Sequence, residues 1–350
     1  MKSKGPLAAL LLVAAVQEAV SFSPTNHHLS IKQRQQQIVH SKQLQTSLNI
    51  RGGGNNIIMS SSSLSSVLGP SADAISSALV SGTPLRAIGG LWSISSLVVL
   101  PLTMVRQGYS FSVGYASSVA AMALILSSSF GVSLSTLTSS SSTPAILAAT
   151  AVIYGLRLAL FLLLREFSVE SKRKQIKSFD KSPRLKRLPL AFSVSLLYAF
   201  MTSPVLFALR GSVKAGSGLA KVQLVSTILA AVGMVLESAA DQHKYEAKRK
   251  SKEGEEKFVG PTTWSYRLVR HPNYLGEILF WVGLFGAGSV SFQKSIVAWT
   301  CGSLGLFSIL SIMLGASGRL DTKQEEKYSG QTKYDEWKDA TKYSVIPFYK

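Results

Sequence analysis

A basic polar segment gives way to an apolar run within Trp264-Ser-Tyr-Arg-Leu-Val-Arg-His-Pro-Asn-Tyr-Leu-Gly-Glu277. Arg270 and His271 supply cationic or switchable donors there, and Pro272 suits a first helical turn because the N–H it lacks would be unpaired there. Cations ahead of a helix N-terminus favour a phosphate. Glu277 lies in apolar sequence, where a carboxylate is energetically costly and usually functional. The stretch therefore predicts either a ligand site or an interfacial cluster that anchors a membrane helix.

The composition of the chain is that of a membrane protein. Hydrophobic residues make up 46% of the 350 positions and charged residues 16%, against ~25% charged residues in soluble domains. The net charge is +19, but the cations lie between apolar runs, where they set membrane orientation rather than bind nucleic acid. Cys301 is the single cysteine of the sequence, so no disulfide framework and no Cys/His metal site is expected.

The N-terminus has the pattern of a targeting sequence. Lys2 and Lys4 precede an apolar run and then small residues, which predicts a cleaved signal peptide over residues 1–21. Residues 22–70 are rich in Ser and contain no Asp or Glu, the composition of a disordered transit-like segment. Together they resemble the bipartite presequence of plastid proteins in algae with secondary plastids. The alternative is an ordinary secretory signal and a linker, with the endoplasmic reticulum as the destination.

The fold is predicted to be all-α, a polytopic bundle of transmembrane helices over residues 86–350. A spanning helix needs ~20 mostly apolar residues. About seven runs approach this requirement, and several are rich in the small residues that allow close helix packing in a bilayer. The runs are Ile88–Val105, Phe111–Phe130, Pro144–Leu164, Leu188–Leu209, Leu219–Ala240, Leu275–Val290 and Ser295–Leu314. Because the Leu275 run is short and contains Glu277, we expect it to pack inside the bundle or to tilt.

The basic loops fall on one side of this bundle. Glu166–Arg187 holds eight Lys/Arg against three acids, Asp241–Arg270 eight against five, and the tail Ser317–Lys350 seven against six. Cation-rich loops share the cytoplasmic face of a membrane protein. With seven spans, these three segments follow spans three, five and seven and therefore share a face, where any chemistry should lie.

A second polar group begins inside the fifth apolar run. Glu237 and Asp241 are four residues apart and share a helix face that Lys244 and Lys248 extend. Acids toward the bilayer and bases further out would suit a ligand with hydroxyl groups at one end and phosphates at the other. The alternative is a ladder of salt bridges on a solvated helix, worth a few tenths of a kcal/mol per pair.

The tail after the last apolar run mixes charges with aromatic residues. Arg319, Asp321 and Tyr328 belong to it, and an interfacial aromatic belt would explain such a pattern. The alternative is a clamp over a ligand, since the tail shares its face with the other two groups. No Gly-x-Gly-x-x-Gly follows a predicted strand, so a Rossmann domain is excluded and any cofactor must be held by the bundle and its loops.

These motifs resemble those of membrane reductases that include the steroid 5-alpha-reductases and the sterol-ring double-bond reductases. Arg270–Glu277 is similar to their signature, and Glu237-x-x-x-Asp241-x-x-Lys244-Tyr245 is similar to their segment one span earlier. Weaker similarity lies at Tyr154-Gly-Leu-Arg157-Leu, at Lys327-Tyr328 and at the ending Tyr343-x-x-Ile-Pro-x-Tyr349. The resemblance covers about residues 150–350.

The resemblance implies an NADPH-dependent oxidoreductase that reduces a C=C bond in a lipid, sterol or isoprenoid. Glu277 and Tyr274 are the predicted proton donors, and no metal is expected. Lys244, Lys248 and the pair Arg267/Arg270 would select the 2′-phosphate of NADPH. The residues predicted to bind the cofactor are Glu237, Asp241, Lys244, Lys248, Arg267, Arg270, His271, Asn273, Tyr274, Arg319, Asp321 and Tyr328.

Two other functions remain open at this point. The Arg-His-Pro-x-Tyr-x-Gly stretch and the paired acids Glu325 and Glu326 are similar to features of isoprenylcysteine carboxyl methyltransferases, which use S-adenosylmethionine. Asn273 and Glu277 favour the reductase. A non-catalytic membrane protein that binds lipid is the third possibility, supported by clustered charge on one face.

Overall fold

The computed structural model describes residues 73–132, 143–180, 182–249 and 258–347. The predicted signal peptide and transit-like segment lie outside the described residues. From Ala74 onward the described chain forms one compact unit. Every regular element in these ranges is a helix, which confirms the all-α prediction.

In the part of the chain that the structure describes, residues 73–81 are helical and nine further α-helices follow. They are α1 (Pro84–Val105), α2 (Val113–Ser129), α3 (Thr143–Ser168), α4 (Glu170–Ser178), α5 (Leu188–Arg210), α6 (Gly218–Arg249), α7 (Pro272–Ser289), α8 (Ile296–Tyr328) and α9 (Thr332–Ala340). Short 3₁₀ turns occupy Gln107–Phe111, Arg184–Arg187 and Trp264–Arg267. The seven predicted apolar runs correspond to α1, α2, α3, α5, α6, α7 and α8.

Five helices of the described chain, α1, α3, α5, α6 and α8, are long and apolar enough to cross a membrane. The predicted number was seven. Two of the seven predicted spans are not long or apolar enough. They are α2, with 17 residues, and α7, whose 18 residues include a polar first turn and Glu277. Apolar side chains point outward from the long helices, such as Val225, which is 65% exposed, and Phe307, which is 71% exposed. Such surfaces fit a bilayer, so the bundle is that of an integral membrane protein.

The predicted packing of α7 inside the bundle is confirmed. Phe280, Trp281 and Leu284 are at most 2% exposed, and α7 contacts α5, α6 and α8. Its closest neighbour is α6, because small residues let the two backbones meet. A Cβ added to Gly276 would lie 2.5 Å from the backbone nitrogen of Glu237, and one added to Gly233 would lie 2.4 Å from that of Phe280. This contact brings the turn that carries Glu277 against the turn that carries Glu237.

Two helices continue well beyond their apolar runs. The predicted spans ended at Ala240 and Leu314, whereas α6 extends to Arg249 and α8 to Tyr328. The helix face predicted from Glu237 to Lys248 is therefore confirmed in α6, whereas the segment predicted as the start of the tail is helical in α8. The reason is that loss of hydrophobicity ends a membrane span but not a helix, since the Lys, Glu and Gln residues that follow are good helix formers.

A cluster of aromatic side chains joins the ends of these helices to the tail. Phe258, Tyr266, Tyr334 and Trp337 are buried together, and Tyr328 packs against them. The indole nitrogen of Trp337 donates to the carbonyl of Tyr266 at 2.9 Å, and the Tyr266 hydroxyl donates to the carbonyl of Ala240 at 3.1 Å. The segment before α7, the end of α6 and the tail thus lie together at one end of the bundle.

Candidate functional site

A buried ion-pair cluster joins α3 to α6. Nη2 of Arg157 lies 3.1 Å from Oε1 of Glu237, and its Nη1 lies 3.6 Å from Oδ2 of Asp241. Both carboxylates are buried, because each faces α3 across the helix interface. The side chain of Asn273, at the start of α7, lies beside Asp241. Three helices therefore meet at this cluster, and burial makes each of its charges depend on the others.

The cluster contains polar atoms without hydrogen-bond partners. Among the described residues, all three guanidinium nitrogens of Arg157 are buried and none makes a well-formed hydrogen bond, in spite of the two ion pairs. Oε2 of Glu237 and Oδ1 of Asn273 are also buried without a hydrogen-bond partner. Because buried polar groups are normally satisfied, such a concentration of unpaired donors and acceptors marks a place for a polar ligand.

Glu277 lies deeper in the bundle, next to two phenols. Its Oε1 accepts a hydrogen bond from the Tyr115 hydroxyl at 2.9 Å and one from the Tyr154 hydroxyl at 3.3 Å. The two phenol oxygens are 3.0 Å apart, and the indole of Trp281 donates to Tyr115 at 2.9 Å. Tyr154 stacks on Phe280 with ring centroids 3.8 Å apart. The result is a buried, aromatic site in which one carboxyl group and two phenols can exchange a proton.

A basic cleft lies on the face where α6 and α8 emerge from the bundle. Its cavity has a volume of about 190 Å³. The cations of its lining come from both helices and from the segment before α7, and they are Lys244, Lys248, Lys323, Lys327 and Arg270. Phe258, Tyr266, Tyr328 and Trp337 supply aromatic walls, and the lining residues that the structure describes include no acid. Cations with aromatic surfaces suit a phosphate-bearing ligand that carries an aromatic base.

The tail is attached to the start of α7 through Asp321. Its carboxylate accepts hydrogen bonds from Nη2 of Arg270 at 2.9 Å, Nε2 of His271 at 2.8 Å and the hydroxyl of Ser344 at 2.6 Å. The backbone nitrogens of Arg270 and His271 each donate at 2.9 Å to the carbonyls of Tyr343 and Ser344. We call this group of four side chains and their backbone bonds the tail strap.

His271 and Arg270 have a structural role in the tail strap. His271 is fully buried, and burial lowers the pKa of its imidazole, so the ring is neutral at pH 7 and donates from Nε2. Nη1 of Arg270 also donates to the carbonyls of Thr341 and Lys342, at 3.0 and 3.1 Å. Both side chains were predicted to bind the cofactor, yet the described contacts are mostly to the tail and Asp321. Arg270 also lines the basic cleft.

The other predicted residues are distributed as follows. Glu237, Asp241 and Asn273 meet in the ion-pair cluster, and Lys244, Lys248 and Tyr328 line the cleft. Arg267 and Arg319 are exposed and do not contribute to the cleft lining. Tyr274, a predicted proton donor, lies beside His271 with ring centroids 5.6 Å apart. The hydrogen bonds to Glu277 come from Tyr115 and Tyr154 instead.

Sequence reasoning missed Tyr115 and Trp281. Both lie inside apolar helices, where an aromatic residue is ordinary and nothing nearby in sequence distinguishes it. A useful signal was present at Tyr115, a lone phenol in a run dominated by small residues. A buried Tyr hydroxyl needs a partner, so an isolated tyrosine in such a run points to a polar partner on another helix.

An apolar helical bundle with a buried polar cluster and a basic cleft defines an integral membrane protein with an internal polar site. The chain belongs to the family described as "Protein of unknown function (DUF1295)", whose model matches residues 97–341. This family is related to the steroid 5-alpha-reductase-like proteins. No match was found among curated proteins or among solved structures.

The tail strap leads to a first prediction. Asp321→Asn keeps the volume of the side chain but removes the negative charge to which Arg270 and Ser344 both donate hydrogen bonds. Hydrogen bonds to charged groups contribute about 1.5–3 kcal/mol when buried, and Asp321 is partly exposed, so we expect about 1–2 kcal/mol of destabilisation. Thermal unfolding in detergent and limited proteolysis of the tail measure it. Asp339→Asn, the same change at an exposed site, is the control. Equal melting temperatures for the two variants would show that the tail strap does not stabilise the fold.

Proposed function

We propose that this protein is an NADPH-dependent membrane reductase that acts on a C=C bond of a lipid, sterol or isoprenoid. The observation that carries the proposal is a continuous polar face on α6. Glu237 and Asp241 lie in the buried ion-pair cluster, while Lys244 and Lys248 line the basic cleft. Their spacing places all four on one side of the helix. An elongated ligand with phosphates at one end and a polar ring at the other matches that face.

The charge of the cleft favours a dinucleotide over the competing cofactor. Five cations belong to the part of its lining that the structure describes, and they attract the negative phosphates of NADPH. S-adenosylmethionine carries a positive sulfonium and no phosphate, so the same lysines would repel it. This difference supports the reductase over the methyltransferase alternative. The aromatic walls formed by Phe258 and Trp337 would take the adenine by stacking.

The ion-pair cluster fits the other end of the dinucleotide. The nicotinamide carboxamide has one acceptor and one donor group, and the adjoining ribose has hydroxyls that do both. Arg157 lacks well-formed acceptor partners, whereas Glu237 and Asn273 have oxygens in need of donors. The residues present therefore match in kind the groups that NADPH would bring.

When bound, NADPH supplies a hydride to the double bond of the substrate. The chain supplies the rest, namely orientation, exclusion of water and the proton for the other carbon. The hydroxyls of Tyr115 and Tyr154 donate to Oε1 of Glu277. A proton delivered from Tyr154 to the substrate would leave a phenolate, which the proton of Tyr115 can neutralise across the 3.0 Å between the two oxygens or through Glu277. Solvent would restore the proton of Tyr115 between turnovers. Burial of the group keeps competing water away.

Nucleotide titration is the direct test. Isothermal calorimetry on the full chain in detergent should show binding of NADPH and none of S-adenosylmethionine. Asn273→Ala and Tyr274→Phe should each weaken NADPH binding, roughly tenfold for the loss of one buried hydrogen bond, without loss of the fold. Gln242→Ala, an exposed change on α6, is the control. Binding of S-adenosylmethionine instead of NADPH, or unchanged NADPH affinity in both site variants, would overturn the assignment.

A further inference from the structure

The connection between α3 and α5 presents cations to the outside of the protein. Those of its described cations that are exposed are Arg173, Lys174, Lys177, Arg184 and Lys186, and we call them the cationic patch. Lys174 lies 2.9 Å from the carboxylate of Glu170 in the same helix. For the rest of the patch, the part of the chain that the structure describes offers no ion pair, so these charges are available to a partner.

The other acids of this connection are engaged by groups of the protein. Oδ1 of Asp180 accepts a hydrogen bond from the backbone nitrogen of Gln107 at 2.7 Å and lies 3.1 Å from Nη1 of Arg187. Glu166, at the end of α3, is buried. The outer surface of the connection is therefore positive, because its carboxylates are paired or turned inward.

The connection is fixed to the rest of the bundle at both ends. Ile176 of α4 packs on Gly108, where an added Cβ would lie 3.0 Å from its Cγ2. Arg187 is buried and donates from Nε to the carbonyl of Ser182 at 2.8 Å and from Nη1 to that of Thr103 at 3.3 Å. Because these inward contacts hold the backbone, the patch is presented in a fixed arrangement.

Apolar side chains are exposed beside the cations. Leu185 lies between Arg184 and Lys186 and is 78% exposed, and Phe179, just after α4, is 48% exposed. The turn that carries Leu185 leads directly into α5, a helix long and apolar enough to cross a membrane. The patch therefore lies where that helix would leave the bilayer. Cations next to exposed apolar groups suit the boundary between lipid headgroups and acyl chains.

We propose that the cationic patch binds the headgroups of anionic phospholipids in the leaflet that surrounds this end of the bundle, with Leu185 and Phe179 in the acyl boundary. Each basic residue close to an anionic bilayer strengthens binding roughly fivefold. A small soluble anion would satisfy the charges but would leave both apolar side chains in water. The inference concerns a surface outside the proposed cofactor site and does not depend on the proposed function.

The test is native mass spectrometry of the full chain, which counts the lipids retained from mixed micelles that contain phosphatidylglycerol or phosphatidylcholine. The unmodified protein should retain more phosphatidylglycerol, and added salt should reduce the difference. In the double variant Arg184→Gln/Lys186→Gln the preference should fall roughly 10-fold or more, because two of the cations are lost. Both side chains are exposed, so the melting temperature should not change.

The matched control is Lys333→Gln/Lys342→Gln. It removes the same charge from exposed positions of the tail and should keep the preference. Equal retention of the two lipids by the unmodified protein, or an equal loss of preference in both double variants, would show that the patch is not a lipid site. Binding of polyglutamate that depends on Arg184 and Lys186, without a preference for phosphatidylglycerol, would overturn the proposal in favour of an acidic protein partner.

Discussion

Glu277→Gln is expected to lower turnover by a factor on the order of 10²–10⁴ while NADPH affinity is kept. The carboxylate accepts from both Tyr115 and Tyr154 at 2.9 and 3.3 Å. An amide keeps the volume and one acceptor, but it cannot pass a proton between the phenols. A lone carboxylate at this depth would cost several kcal/mol without partners. Arg157 pairs with Glu237 and Asp241, so the two phenols are the hydrogen-bond partners that the structure describes for Glu277.

The assay follows NADPH consumption with a panel of unsaturated sterols and isoprenoids, normalised to folded protein. Tyr198→Phe is a matched control, because the ring of Tyr198 packs against Tyr115 at 5.2 Å while its hydroxyl donates to the carbonyl of Ser110 at 2.6 Å. This variant should keep turnover, and Tyr154→Phe should lose it. Should Glu277→Gln reduce thermal stability and leave turnover per folded molecule unchanged, Glu277 is a structural strut and the phenols act without it.

Gly276→Ala should abolish the native packing of α6 on α7. The added Cβ would lie 2.5 Å from the backbone nitrogen of Glu237 and 2.7 Å from the carbonyl oxygen of Gly233. These are backbone atoms, which cannot move aside as a flexible side chain can. Overpacking costs about 1–3 kcal/mol and more where the backbone must shift. We expect a loss of about 3 kcal/mol, read as a lower melting temperature from the fluorescence of the buried Trp281.

Gly318→Ala is the control for this prediction. Gly318 lies in α8, and an added Cβ there meets nothing within 4 Å. The substitution should be neutral or slightly stabilising, because Ala favours helix over Gly by about 1 kcal/mol. Because Glu237 lies at the contact, Gly276→Ala should also reduce NADPH binding in whatever fraction remains folded. Equal melting temperatures for Gly276→Ala and Gly318→Ala would show that the two helices are not held in backbone contact.

The all-α class and the polar face of α6 could be predicted from the sequence alone. Hydrophobic runs show where helices lie, and the spacing of Glu237, Asp241, Lys244 and Lys248 shows that they share a side. These inferences need only the geometry of one helix. The predicted interior position of α7 also followed from one residue, since Glu277 cannot face lipid at low cost.

Partners across helices could not be predicted in the same way. Nothing near Tyr115 in sequence indicates that it meets Glu277, 162 positions away. Asp321 was expected in the cofactor site, but it accepts hydrogen bonds from Arg270, His271 and Ser344, which fasten the tail. Such pairings depend on the rotation and register of packed helices, which small residues such as Gly276 determine and which no single-helix pattern contains.

Helix α6 runs without a break from the bundle interior to the basic cleft. It therefore fixes the distance between the polar side chains at its two ends. Eleven positions separate Glu237 from Lys248, and at about 1.5 Å per residue they are fixed about 16 Å apart along the axis. A ligand would need that length to reach both ends, so the proposed cofactor site would select by size as well as by charge. One residue inserted between them would turn the lysines by about 100° and leave each end intact but out of alignment with the other.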